Sequence, residues 1–165
     1  MFREMRRRKQ ALPQDVVDEV LSHRTAGVVA VLGDDDYAYA VPISFVYSDG
    51  HIYFHSAKTG HKIEALKAHP KVSVCVIDQD EIHPEKVTTW YRSVIAFGTA
   101  SMMEEPDKMR AARLLTDKFA KDYPEAVEED IRHNYKNMEM VDITVEHVTG
   151  KESSALMKQR AEGIL

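Results

Sequence analysis

A mainly β fold, an antiparallel β-barrel with flanking helices, is what this sequence predicts, and three observations carry the expectation. Segments with the valine-rich or alternating pattern of strands outnumber helical ones. Consecutive strands meet through short polar turns such as Ser48-Asp49-Gly50, which favours antiparallel pairing. The chain has 165 residues, of which 44% are hydrophobic and 30% charged, enough for one ordinary domain with a real core. A closed or partly closed barrel, with helices at its ends, is the arrangement that protects so many antiparallel edges.

Each element follows from its own pattern. Residues 13–22 read as a helix: Pro13 suits the first helical position, and Val16, Val17, Val20 and Leu21 recur on one face. Residues 27–32 form a valine-rich strand, and Gly33-Asp34-Asp35-Asp36 a turn. A second strand covers 37–47, where Pro42 removes a donor and marks an edge, a bulge or an opening in the ladder. In 51–55, Ile52 and Phe54 share one face and His51, Tyr53 and His55 the other. Residues 56–60 are a loop, 62–68 a short helix stopped by Pro70, and 71–77 a strong strand. The polar stretch 78–86, with Pro84, reads as a loop. Residues 87–103 give a long strand or strand pair bent at Gly98. A helix over 105–123 carries the stripe Met109, Ala112, Leu115 and Phe119, with Asp107 as its cap. Pro124 interrupts, 128–135 adds a helical turn or two, and 139–147 alternates as the last strand. From Gly150 onward the chain reads as an arm or frayed tail.

These readings make 1–165 a single domain, with a core over about 13–152, a basic N-terminal arm over 1–12 and a tail over 153–165. A formal net charge of −5 disfavours a nucleic-acid partner. The exception is Arg3, Arg6, Arg7, Arg8 and Lys9, read either as a solvated terminus or as an arm that touches phosphate or an acidic partner. No apolar run reaches the roughly 20 residues of a membrane span. The basic start lacks the apolar stretch of a secretory signal, so no membrane association and a cytoplasmic location are expected. Cys75, the only cysteine, is expected to be a small buried hydrophobe. No Cys/His spacing suggests a metal site.

Two stretches carry chemistry. In Ile52-Tyr53-Phe54-His55-Ser56-Ala57-Lys58-Thr59-Gly60-His61-Lys62-Ile63 a strand feeds a helix through hydroxyl, basic and glycine residues. Free N–H groups at a helix start attract anions, and Lys58, His61 and Lys62 add charge while Ser56 and Thr59 add donors. The pattern fits a phosphate site, and it also fits a solvated turn whose polar residues only cap the helix. The spacing is neither a P-loop nor a dinucleotide fingerprint. In Thr88-Thr89-Trp90-Tyr91-Arg92-Ser93-Val94, the aromatic residues are either a wall for a planar ligand or the plug of a barrel end. Arg92 within a strand needs a carboxylate, a phosphate or solvent.

The order of four segments adds a resemblance. Tyr39-Ala40-Val41-Pro42-Ile43-Ser44-Phe45-Val46-Tyr47, then Tyr53 to Lys62, then Tyr91-Arg92-Ser93-Val94-Ile95-Ala96-Phe97-Gly98, then Thr149-Gly150-Lys151-Glu152 together resemble the nitroimidazole-resistance (Nim) proteins. Those are a branch of the pyridoxamine-5′-phosphate-oxidase-like flavoproteins, and the similarity covers about 24–152. The resemblance implies an antiparallel split β-barrel, FMN-binding, that pairs as a homodimer with FMN at the subunit interface. It implies that the backbone of Val41, Pro42, Ile43 and Ser44 flanks the isoalloxazine. Ser56, Ala57, Lys58, His61 and Lys62 would hold the ribityl and phosphate groups. Tyr91, Arg92 and Ser93 would approach the flavin from the strand wall, from the same chain or its partner. His55 would match the histidine that lies near the flavin and is assigned a part in the redox chemistry. Oxidase members bind a second phosphate with basic residues near the C-terminus, and Lys158-Gln159-Arg160 does not match that pattern.

Two functions compete at this stage. One is an FMN-dependent oxidoreductase that passes electrons from a reduced nicotinamide or another donor to a small-molecule acceptor such as a nitroimidazole. The other is a flavin- or haem-binding module without turnover, in which His55 or His61 could ligate haem. Related barrels also accept a deazaflavin.

Overall fold

The computed structural model describes residues 2–164. Its centre is a seven-stranded antiparallel sheet formed by β1 (Ala26–Leu32), β2 (Ala38–Ser44), β3 (Val46–Ser48), β4 (His51–Ala57), β5 (Lys71–His83), β6 (Thr88–Met102) and β7 (Met138–Glu152). The spatial order is β2-β1-β5-β6-β7-β4-β3. The helices are α1 (Gln14–His23), α2 (His61–Ala68), α3 (Asp107–Ala120), α4 (Pro124–Asn134) and α5 (Ser154–Ala161).

The order shows how the sheet is rolled. β2 and β3 occupy opposite edges, yet only Phe45 separates them along the chain. The two edges must therefore approach one another at Phe45. The resulting barrel is not closed by a hydrogen-bonded ladder, and the opening lies along β2, as the proline in that strand suggests. The expected continuous strand over 37–47 is thus two strands. Phe45 is fully buried at the crossing, and its N–H donates to the Thr25 carbonyl at 3.1 Å.

Alternation explains what each strand buries. Ile52 and Phe54 of β4 join Val29, Val74, Val76, Val94 and Ile143 in the barrel core. The opposite face of β4 is covered too: Tyr53 packs with Ala111, Ala112 and Leu115 of α3 and with Met140. The Leu12 side chain and α1 close one side through Val17, Val20 and Leu21. The expected bend at Gly98 is a register shift between β6 and β7. A Cβ at Gly98 would lie 2.3 Å from the Thr144 carbonyl oxygen, so only glycine allows this approach.

Several expectations are corrected. β4 runs through Ser56 and Ala57, which shortens the expected loop. The stretch read as a loop over 78–86 is mostly strand, because β5 pairs with Thr88 to Arg92 of β6 as far as His83. Asp107 is the first residue of α3 and not its cap, since Pro106 holds that position. The long helix expected there ends at Ala120, and Pro124 starts α4 instead of merely interrupting. Cys75 is half-buried, not enclosed, because it alternates away from Val74 and Val76 onto the outer face of β5. The predicted frayed tail is ordered: β7 continues through a fully buried Glu152, and α5 docks through Leu156 behind the Ser153 cap. Part of the arm is structural as well, with Gln10 and Leu12 buried and Ala11 bridged to Lys151.

Candidate functional site

The strand-to-helix junction after β4 sets basic side chains beside an uncapped helix start, the candidate anion cradle. Gly60 sits at φ +120°, a conformation that L side chains rarely adopt, and this turns the strand sharply into α2. Among the described residues no side chain caps α2. Its first backbone bond is from Glu64 N–H to the Gly60 carbonyl, which leaves the amides of His61, Lys62 and Ile63 outside the helical ladder. Among the described residues neither Lys58 nor Lys62 has a carboxylate within ion-pair distance. Lys62 is half-buried, its ammonium 5.3 Å from the centroid of the Phe54 ring, and burial lowers its pKa. A cation in that setting gains from a phosphate. His61 stacks on Tyr39 of β2 with ring centroids 4.3 Å apart, and its Nε2 lies 3.7 Å from Asp34.

Beside the junction runs the free edge of β2, which among the described residues pairs with β1 only. Val41, Pro42, Ile43 and Ser44 lead along it, with Ile43 turned into the core and Pro42 and Ser44 exposed. β2 touches β4, and the Tyr39–His61 stack ties the edge strand to the start of α2. Ser44, His55, Ser56 and Ala57 line one wall of a cavity of about 560 Å³. The far wall comes from Leu115, Thr116 and Phe119 of α3 and Ile131 and Asn134 of α4, with Met138 and Met140 of β7 between. Arg113 holds the two helices together by donating to both carboxylate oxygens of Glu128. The Tyr135 hydroxyl bonds to Glu105, and burial together with that carboxylate raises its pKa. His55 is exposed to this space.

The structure brings together Ser44, His55, Ser56 and Ala57, with Val41 to Ile43 and Lys58, His61 and Lys62 adjoining. It does not bring Tyr91, Arg92 and Ser93 to the same cavity within one chain. Tyr91 lines a separate cavity with Lys86 and Lys158, and its ring lies under the Lys151 ammonium. Ser93 is paired with Lys151 on β7. Arg92 has the carboxylates that a strand arginine needs: Asp78 at 3.6 Å and the fully buried Glu152 at 3.3 Å. Arg160 of α5 donates to the other Glu152 oxygen at 2.6 Å, and Arg24 donates to Asp78 at 2.7 Å. The α3–α4 wall went unrecognised in the sequence. Leu115 and Phe119 follow the same stripe as core residues, and only the 44% exposure of Phe119 sets it apart.

A rolled sheet split along β2, with a basic strand-to-helix junction at the split, defines the class of split-barrel proteins. The pyridoxamine 5′-phosphate oxidase family model matches residues 13–152, and the chain belongs to this family. The fold is shared with a candidate 5-nitroimidazole antibiotic resistance protein of Bacteroides thetaiotaomicron, at 21% identity over 86% of each chain and a TM-score of 0.70. A FAD-binding protein of Mesorhizobium loti is 23% identical over 87% of this chain and 97% of its own, with a TM-score of 0.63. A FAD and heme binding protein of Mycobacterium smegmatis is 19% identical over 88% of this chain and 74% of its own, with a TM-score of 0.75. The comparison with curated proteins gave no match.

Proposed function

We propose that this protein is a homodimeric FMN-dependent oxidoreductase that reduces a small acceptor such as a nitroimidazole. The observation that carries the reading is the uncapped start of α2 with Lys58 and Lys62, which have no carboxylate in ion-pair range among the described residues, directly following the strand that carries His55. Nothing in the sequence supplies a dinucleotide fingerprint, which favours FMN over FAD. When bound, FMN would take electrons from a reduced nicotinamide or a comparable donor and pass them to the acceptor.

The chain's own residues divide the remaining work. Lys58, His61, Lys62 and Ser56, with the free α2 amides, would hold the phosphate and ribityl groups. The backbone of Val41 to Ser44, with no donor at Pro42, would flank the ring edge. His55, exposed beside Ser44 and Ala57, would supply a proton to the acceptor. Val28, Cys75 and Ile95 form one cross-strand row on the outer face of β1, β5 and β6, flanked by exposed Ile77 and Phe97. That apolar face suits a second copy, and pairing would let the partner subunit's Tyr91 and Ser93 approach the flavin. A cytoplasmic location, where reduced nicotinamides are plentiful, belongs to the same proposal.

Purification followed by release and identification of the bound group tests the cofactor. FMN in near-stoichiometric amount is the expected result, and a Soret band without flavin would replace the reading by a haem-binding one. Sedimentation at micromolar concentration is expected to give twice the chain mass. A monomer with tightly bound FMN would remove the interface from the proposal.

A further inference from the structure

We infer that the space under α3 and α4 is a second binding compartment, which adjoins the flavin cradle and shares Ser44, His55, Ser56 and Ala57 with it, for an uncharged molecule with a largely apolar ring. Three observations point to it. The cavity's volume of about 560 Å³ falls within the roughly 300–1,000 Å³ of small-molecule sites. Much of its lining is apolar, with Leu115, Phe119, Ile131, Met138 and Met140, and thioethers adapt to flat ligands of different outline. Its formal charge comes from one residue, Asp130, which already accepts from Asn134 at 2.7 Å. The lysines of the cradle do not line it.

Charge therefore sorts the ligands of the two compartments. An anion finds its partners at Lys58 and Lys62, whereas in the helical compartment it would lose hydration against apolar walls that hold no lysine or arginine and one carboxylate, Asp130. A neutral ring loses little on entry and gains the apolar walls. His55 lies where the compartments meet, so a ring bound under the helices has its edge beside a proton donor. Naming this occupant the electron acceptor rests on the function proposed above; the compartment itself does not.

The test uses protein labelled with ¹³C at the methionine methyl groups, both as apo-protein and saturated with FMN. Nitrobenzene is the neutral probe and 4-nitrobenzoate the anionic one. Nitrobenzene is expected to shift the Met138 and Met140 signals in both forms, and 4-nitrobenzoate to bind at least tenfold more weakly. Thr116→Trp, and separately Ala120→Trp one turn on, should weaken nitrobenzene at least tenfold while FMN affinity stays within twofold. Unmoved Met138 and Met140 signals would overturn the inference, as would wild-type nitrobenzene binding in both folded variants. A parallel loss of FMN affinity would show that the compartment is the flavin's own. Failure of the protein to take up flavin would sink the proposed function, yet the nitrobenzene titration of the apo-protein would still decide the compartment.

Discussion

At the β4–α2 junction, Lys58 and Lys62 stand beside free helix amides with no carboxylate in ion-pair range among the described residues. Where β6, β7 and α5 meet, Arg92, Arg160 and Arg24 instead share Asp78 and the buried Glu152. Both clusters are basic and both lie at strand ends or edges. They differ in where the opposite charge comes from. In the second cluster the fold supplies it: β7 carries a carboxylate to Arg92 across the ladder, and α5 adds a second guanidinium to balance it. In the first cluster no described carboxylate supplies it, which is what the proposed phosphate would do. A basic residue in a barrel strand is thus a binding candidate only after the neighbouring strands have been searched for its partner.

The largest expected effect tests the self-neutralised cluster. Glu152→Ala leaves Arg92 and Arg160 without their shared acceptor, and breaking such a buried pair costs about 3–5 kcal/mol. Urea unfolding should show that loss, with FMN affinity of the folded fraction nearly unchanged. Lost affinity at normal stability would erase the contrast between the clusters.

The next effect lies at the other region. His55→Ala should keep the fold and most FMN affinity but slow reoxidation of the reduced flavin by a nitroimidazole ~10²-fold, the lower range for lost acid–base help. Stopped-flow absorbance measures it, and unchanged reoxidation at full flavin occupancy assigns His55 to structure. Lys62→Ala should weaken FMN by about 1.5–3 kcal/mol, the range for a hydrogen bond to a charged group, with little change in apo-protein stability. Titration of apo-protein with FMN reads the first quantity and urea unfolding the second. An unchanged dissociation constant removes Lys62 from the cradle.

The smallest effect is a pH slope. Burial lowers the Lys62 pKa, so its folded value lies below its unfolded one. Between the two values the unfolded chain holds more protons, and apo-protein stability rises with pH. Partial exposure keeps this slope shallow. FMN affinity should run the opposite way, falling as Lys62 loses its proton. Thermal unfolding of apo wild type and Lys62→Met across the alkaline range should show a shallower rise in the variant, and equal slopes would contradict the assignment.

The junction was legible because its residues announce themselves locally. Gly60 needs a positive φ, and hydroxyl and basic residues crowd the few positions around it. The core strands were legible too, since Val28 to Leu32 and Val72 to Ile77 are apolar enough to stand without context. The distal parts of β5 and β7 were not. Gln79, Asp80 and Glu81 are polar, and they are strand only because Tyr91 and its neighbours pair with them. Lys151 and Glu152 look like a tail until Arg92 and Arg160 are placed around Glu152. Long-range neutralisation has no local signature, which is why the sequence left a carboxylate, a phosphate and solvent open as partners of Arg92. The cavity's helical wall was hidden for a related reason. A helix stripe shows which residues are apolar, not whether Leu115 faces a neighbour or an empty space.

The one-residue passage at Phe45 has a consequence for how the chain is made. β2 and β3 are synthesised together, but they belong to edges that meet only when the sheet has rolled. β1 waits for β5, and β4 waits for β7, whose residues are 138–152. During synthesis the split therefore forms only after nearly the whole chain has left the ribosome. Until then the apolar faces of β1 and β4 are uncovered, so any assistance from chaperones falls late in synthesis. A ribosome stalled before β7 would hold a chain with the cradle sequence but no barrel to present it.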